Sequence, residues 1–447
     1  MTSDIICAPA TLPGGAIGIV RVSGAGCLGT VDSVVDFRNG NAQEAKGFNV
    51  KFGTIKNLDE VLVSIFKAPH SYTGEDMAEI SCHASPYVME GILERLCSAG
   101  CRMAEAGEFT RRAFVAGKMD LSQAEAVADL IASDSAASHK LAFSQLRGAY
   151  SQKLRELRGQ MTELAALLEL ELDFSEEELE FADRSRLKEL ASDVRAECLR
   201  LADTFRLGNA FKNGIPVAIV GAVNSGKSTL LNALLGEDRA IVSDIPGTTR
   251  DTVEEVISLG GIKYRFIDTA GLRETSDAVE QMGIDRSFAQ MERASVVIVL
   301  LDGTAPLQAL APVIEGVQAR LRPETRVIWV RSKADLCTRP IEGIPDSIEL
   351  SALTGQGLEK LKEAISKPDS DALAADSVLV TNQRHYDALR RAGDDLDRVL
   401  EGLGNASPTD LVAEDLRSGI SALGEIFGDI LPDDILGTVF SRFCVGK

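Results

Sequence analysis

The sequence predicts a multidomain chain of mixed α/β and α class. An N-terminal α+β domain is followed by a helical domain in two separated stretches, with an α/β domain inserted between them. Three observations carry this. Short apolar runs punctuated by glycine fill residues 1–118. Apolar residues at three- and four-residue spacing mark long amphipathic helices before residue 214 and again after 373. Between these stretches strands and helices alternate, the pattern of a parallel sheet. The expected boundaries are 1–118, 119–214, 215–372 and 373–447, the second and fourth being two parts of one discontinuous domain.

In the first stretch Ile5–Ala8, Ala16–Val22, Phe48–Ile55 and Val61–Phe66 read as strands, and Tyr87–Ser98 as a helix. Gln123–Ile131, His139–Leu157, Gln160–Leu172 and Arg186–Phe205 read as helices. The acidic run Glu169–Glu180 reads as a solvated helix face or junction, because nothing nearby completes a metal-ligand set. Val217–Val220 is a strand. Val253–Leu259 and Ile262–Ile267 are strands joined by Gly260 and Gly261, a hairpin that places one antiparallel edge strand on the parallel sheet. Asn382–Leu403 and Pro408–Ile430 return to helix.

Composition narrows the class of protein. The chain has 447 residues, 45% of them hydrophobic and 26% charged, as expected of an ordinary globular protein. No apolar run approaches the ~20 residues that cross a bilayer. The start, Met1 to Asp4, lacks the basic segment of a signal peptide. Of eight cysteines only Cys97 and Cys101 lie close together, a poor zinc spacing that is expected to mark the buried end of a helix. A cytoplasmic chain with reduced thiols and no membrane attachment is expected. The net charge of −20 opposes tight binding of nucleic acid by general electrostatics. An RNA role needs a local basic patch or a basic partner protein.

The chemistry centres on Gly221 to Thr229, which fits G-x-x-x-x-G-K-[ST] between a strand and a helix. Gly221 and Gly226 let backbone N–H groups converge on a phosphate chain, and the helix start adds its positive dipole end. Asn224, Ser225, Gly226, Lys227, Ser228 and Thr229 are the expected contacts, with Lys227 on the β- and γ-phosphates and Ser228 on Mg²⁺. Asp268, at the end of the strand beside the loop, can bind Mg²⁺ through water, and the Gly271 N–H can meet a γ-phosphate; Thr269 and Ala270 lie between them. The hydroxyl-rich segment Ser243, Asp244, Ile245, Pro246, Gly247, Thr248 and Thr249 can sense that phosphate, with Thr249 completing the Mg²⁺ shell.

Base choice follows from Ser332, Lys333, Ala334 and Asp335 after an apolar strand. Asp335 can accept two N–H bonds from guanine, which adenine cannot supply, so GTP is expected and an ATPase is opposed. The Lys333 stem can cover the base, and Ser351, Ala352 and Leu353 can offer an N–H to guanine O6. Leu272 stands directly after the D-x-x-G segment and can neither orient nor deprotonate water. A monovalent cation near Asn224, Arg250 and Arg273 are rival sources of positive charge, while Glu274 and Glu280 are rival water-orienters.

These five nucleotide motifs resemble the Ras-like P-loop G-domain GTPases. Ser332 departs from the asparagine usual there, which is expected to cost part of the contact with the base and the phosphate loop. Further motifs widen the resemblance: Ser71 to Asp76, Gly107 to Phe114, Lys118 to Glu125, Gly247 to Asp251, Asp268 to Glu274 and Phe443 to Lys447. Over nearly its full length the chain resembles the MnmE (TrmE) family of tRNA modification GTPases.

That resemblance implies a GTP-hydrolysing component of wobble-uridine C5 modification that works with an FAD-dependent MnmG-type partner on tRNA. It implies a homodimer through the N-terminal domain, a bound 5-formyl-tetrahydrofolate or related one-carbon folate, and K⁺-stimulated pairing of G domains. Carried over by residue, K⁺ falls to Asn224, Ser243, Ile245 (backbone) and Thr248, and Mg²⁺ to Ser228 and Thr249. The water-orienting carboxylate becomes Glu280, and the folate contacts Arg21, Glu79, Lys118 and Lys447. Val223 stands where the family has proline, and Ala84 and Ser85 where it prefers two glycines. Cys444 has a packing and a thiol-chemistry reading, and His83 a structural and a folate-site one. A regulatory or assembly switch without group transfer is the competing function.

Overall fold

The computed structural model describes residues 4–173, 184–238, 254–267, 291–336, 344, 346–375, 378–405, 407–429, 433–441, 443 and 446. The chain divides into two compact units. One comprises Met1–Ala128, Gln145–Val194 and Arg391–Lys447, the other Asp129–Ser144 and Arg195–Arg390.

The first unit carries a sheet of β1 (Ile6–Pro9), β2 (Ile17–Ser23), β3 (Asp36–Phe37), β4 (Asn49–Ile55), β5 (Asp59–Phe66), β6 (Met77–His83) and β7 (Arg102–Met103), in the order β3-β4-β5-β6-β2-β1-β7. β1 and β7 run parallel; the other pairs are antiparallel. Alternation sets the buried face. Val20 and Val22, Val61, Val63 and Ile65, and Ala78, Ile80 and Cys82 point into one core. The helices Cys27–Val34 and Pro86–Ser98 close it with Leu28, Val31, Met89, Ile92 and Leu96. The expected strands in this unit lie within two residues of their observed positions. β6 adds a strand to those expected; Ala78, Ile80 and Cys82 alternate with Glu79 and Ser81, the period of a strand buried on one face. Cys97 and Cys101 do not mark a buried helix end as a pair. Cys101 is buried, but Cys97 is exposed, its Sγ 3.9 Å from that of Cys7.

The expected helix His139–Leu157 is two helices, Ala136–Leu146 and Ala149–Asp173. Gly148 takes φ 84° and gives its N–H to Gln145 O, while its own carbonyl accepts from Gln152. A left-handed residue ends one helix and starts the next, which apolar spacing does not report. Among the described residues no helix is long and apolar enough to cross a membrane. Phe174 to Glu180, more than half of the acidic run, lies outside the described residues.

A buried ion-pair network organises the N-terminal unit around Glu108, which is 1% exposed. Its carboxylate accepts Arg102 Nη2 at 2.7 Å, Arg112 Nη2 at 3.1 Å and the Glu105 N–H at 2.8 Å. Arg112 also donates to Asp4 Oδ1 and Glu75 Oε2, and Glu75 accepts the Ser23 hydroxyl at 3.0 Å. Burial alone would raise the Glu108 pKa, but these donors outweigh it and hold it below the usual 4.5.

The second unit carries β8 (Ile215–Gly221), β9 (Glu255–Leu259), β10 (Ile262–Phe266), β11 (Val296–Asp302), β12 (Arg326–Ser332) and β13 (Ile348–Glu349), in the order β13-β12-β11-β8-β10-β9. Only the edge pair β9–β10 is antiparallel, turned at Gly260 and Gly261 with φ 59° and 77°, as the hairpin signal predicts. β11 is buried from Val296 to Leu301, the continuous apolar run of a strand covered on both faces. Leu230, Leu231, Leu234, Leu358, Leu361 and Ile365 pack on one side, Leu310, Val313 and Val317 on the other.

The Glu108 network makes one prediction. Glu108→Gln should lower the unfolding free energy by about 2 kcal/mol, less than a fully enclosed pair because Arg102 reaches solvent. Since the Glu108 pKa is depressed on folding, its contribution is present above the unfolded value of 4.5 and is lost as pH falls through the folded one. Denaturant melts from pH 7 to pH 3 should show a shallower acid loss in the variant. Equal stability of both chains at neutral pH would contradict the assignment.

Candidate nucleotide and one-carbon sites

β8 delivers the phosphate loop at the carboxyl end of the parallel strands, where open α/β sheets bind ligands. Gly221 pairs with Leu300 across the sheet, and a Cβ there would lie 2.5 Å from Leu300 O and 2.7 Å from Ser225 Oγ. Only glycine fits. Asn224 at φ 60° and Gly226 at φ 97° fold the loop back before the helix Lys227–Asp238 begins. Successive left-handed turns aim N–H groups inward, the concavity that cradles phosphate oxygens. Lys227 Nζ donates to Gly221 O and Ala222 O at 2.8 Å each, which holds the ammonium at the loop, and burial pushes its pKa down. Val223 and Asn224 are exposed, and Ser228 and Thr229 stand in the first turn of the helix.

β12 brings the base segment beside this loop. The Ser332 hydroxyl donates to Ser225 O at 2.7 Å, so this side chain keeps one contact with the phosphate loop. The serine is short, but the two backbones approach closely enough for it to span the gap. Lys333 turns the chain at φ 58°, and its Nζ bonds Asp302 Oδ2 at 2.6 Å. Asp302 is held below the usual carboxylate range: burial raises it, but Lys333 and Thr304 outweigh burial. This carboxylate fixes where the Lys333 stem lies, a role no sequence motif announces. Ala334 N–H bonds Leu350 O at 3.1 Å, which locks the base segment to the strand end before Ser351. Ser351 gives its N–H to Gln356 O at 2.9 Å, so a donor to a base oxygen falls to Ala352 or Leu353. Asp335 is exposed, its carboxylate open to a ligand. Ser243 to Thr249, Asp268 to Gly271, Glu280, Cys444 and Lys447 lie outside the described residues.

A second candidate site lies in the first unit. β2 and β6 set Arg21 opposite Glu79, and Arg21 Nε and Nη2 both donate to Glu79 Oε1, at 3.0 and 2.8 Å. The guanidinium lies over the rings of Tyr72 at 5.5 Å and Phe109 at 5.6 Å. Arg21 Nη1 also donates to Gly446 O at 3.0 Å. Gly446 approaches so closely that a Cβ would stand 2.1 Å from Pro9 O. The Tyr72 hydroxyl shares a 2.9 Å hydrogen bond with Thr110, and burial raises its pKa. Lys118 Nζ reaches Pro69 O at 2.9 Å, on the loop that carries Tyr72. The structure thus brings together Arg21, Glu79 and the described end of the C-terminal tail. Tyr72 and Phe109 belong to two motifs visible in the sequence, but nothing in their spacing assigns them to Arg21. His83 is 76% exposed and bonds Asp59 at 2.8 Å, four residues along β6 from Glu79. Among the described residues no group of three or more His, Cys, Asp or Glu side chains has the geometry to hold a metal ion.

The comparisons with known proteins cover both units. Residues 5–118 match the family model of the GTP-binding protein TrmE N-terminus, and residues 121–444 match that of the MnmE helical domain. The chain is 45% identical over 468 residues to the tRNA modification GTPase MnmE of Bacteroides thetaiotaomicron, covering 100% of both chains. It is 46% identical over 463 residues to that of Parabacteroides distasonis, covering 99% of both, and 46% identical over 465 residues to that of Flavobacterium johnsoniae, covering 100% of both. With these matches running from end to end, the chain belongs to the MnmE (TrmE) family of tRNA modification GTPases.

Proposed function

We propose that this chain hydrolyses GTP as a component of tRNA wobble-uridine C5 modification. The observation that carries the reading is the joined geometry of phosphate loop and base segment, tied by the bond from Ser332 to Ser225, in a chain whose relatives match it end to end. An MnmG-type FAD protein is the proposed partner, and the product an aminomethyl or carboxymethylaminomethyl group on C5. The acidic chain leaves much of the tRNA contact to that partner, since a net charge of −20 repels phosphate. A cytoplasmic homodimer is proposed, with residues 1–118, 119–214 plus 373–447, and 215–372 as its functional divisions.

Chemistry assigns the phosphate and base contacts, and family membership the K⁺ set and the water-orienting group. Gly221, Gly226 and the N–H groups from Asn224 to Thr229 bind the phosphates, and Lys227 holds charge against them. Asp335 reads the two guanine N–H donors. Ser228, with Thr249, Asp268 and Gly271, fits a Mg²⁺–triphosphate, and Asn224, with Ser243, Ile245 and Thr248, fits K⁺. When bound, these cations offset the charge that develops on the phosphates. Leu272 cannot orient water, and family membership assigns that role to Glu280 rather than to its rival Glu274.

In the first unit Arg21 and Glu79 fit a one-carbon folate such as 5-formyl-tetrahydrofolate. A carboxylate such as Glu79 accepts the paired N–H donors of a pterin edge, and the Arg21 guanidinium faces anionic or carbonyl oxygen. Lys118 and Lys447 add positive charge for the folate carboxylates.

Two measurements test this. Glu280→Ala should cut GTP turnover at least about 100-fold while GTP binding stays within about 2-fold, and replacing K⁺ by Na⁺ should slow the unaltered enzyme at least about tenfold. Hydrolysis that persists in that variant in Na⁺ alone would falsify the mechanism. For the folate site, calorimetry of 5-formyl-tetrahydrofolate should show Arg21→Ala at least about tenfold weaker than the unaltered chain, the loss of a charge-assisted bond. Unchanged affinity removes Arg21 from the site.

A further inference from the structure

Ser332 does one job where a longer side chain could do two. It is 5% exposed at the end of β12, and its hydroxyl lies 2.7 Å from Ser225 O and 3.2 Å from Leu301 O. Both neighbours are backbone carbonyls, and a hydroxyl owns one proton. That proton goes to the shorter contact, Ser225 O, with Leu301 O as second acceptor. None is left for an acceptor on a base. Guanine shows two such acceptors on one edge, N7 and O6. An asparagine amide carries two N–H donors and could serve a loop carbonyl and N7 together.

The bond joins two strained turns. On one side Ser225 is flanked by Asn224 at φ 60° and Gly226 at φ 97°. On the other, Ser332 precedes Lys333 at φ 58°, whose ammonium is held by Asp302. Left-handed residues other than glycine persist only where their surroundings hold them. The Ser332 hydroxyl therefore fixes the spacing between the N–H groups that meet phosphate and the segment that presents Asp335.

We propose that Ser332 is a positioning residue for the nucleotide and that this chain reads guanine without a side-chain donor to N7. Discrimination rests on Asp335 and on backbone N–H groups of Ala352 or Leu353. This rests on the guanine-nucleotide reading above.

The test is calorimetric titration of the full chain and of its Ser332→Ala and Ser332→Asn variants with GDP, 7-deaza-GDP and ADP. The unaltered chain should bind GDP and 7-deaza-GDP alike. Ser332→Ala should weaken both by the same factor of about 2 to 10, the effect of one lost hydrogen bond. Ser332→Asn should separate the two, with GDP the tighter by several-fold. A loss a merely structural role would cause cannot produce that separation. The proposal is overturned if the unaltered chain already prefers GDP to 7-deaza-GDP. It is also overturned if Ser332→Ala leaves affinity unchanged, or if Ser332→Asn still ignores N7. Equal binding of ADP and GDP has a different meaning: it removes the guanine reading itself, and this proposal with it.

Discussion

Where β8 meets β11, the backbone of Gly221 lies against Leu300 O with no room for a side chain. This close approach sets the height of the phosphate loop above the sheet. Ser225 comes back over the strand end, and its carbonyl falls 2.7 Å from the Ser332 hydroxyl. From there the chain turns at Lys333, is clamped by Asp302, and bonds Leu350 O through the Ala334 N–H. Each contact depends on the one before. A wider gap at Gly221 would move Ser225 away from a side chain as short as serine, and the base segment would lose its tie to the phosphate loop.

The architecture of the second unit was legible because its central strands β8 and β11 are buried along almost their whole length and therefore read as apolar runs. β11 is the plainest case, and the hairpin at Gly260 and Gly261 announced the antiparallel edge. In the first unit β6 has no continuous apolar run, only the alternation of Ala78, Ile80 and Cys82 with Glu79 and Ser81, and Glu79 stands there to face Arg21. The helix boundary at Gly148 was hidden for a different reason. Apolar residues keep their three- and four-residue spacing through the break, and only the backbone dihedral records it.

The sites were legible to different depths. A glycine-lysine loop is a specific signal, so the frame of Gly221 to Thr229 between β8 and the helix Lys227–Asp238 could be read from sequence. The bond from Ser332 to Ser225 O is not legible, because side-chain length is visible in a sequence and backbone separation is not. Asp302 was missed because it stands in no motif and acts through Lys333, 31 residues later. Arg21 and Glu79 were named as contacts of one ligand by family resemblance alone; their pairing across β2 and β6 is visible only in the structure. The Glu108 network gives a use to the Gly107–Phe114 motif, whose charged residues anchor the end of β2 at Ser23, through Glu75, and the loop that holds Tyr72.

We propose that the phosphate loop, the Ser332–Asp335 segment and the Ser351–Leu353 segment form one guanine-nucleotide site. Amide hydrogen exchange read by mass spectrometry, with GDP and with ADP, addresses it most directly. The account predicts that GDP slows exchange in all three segments together and that ADP slows none of them. Protection confined to residues 221–229, or the same protection with either nucleotide, would contradict it.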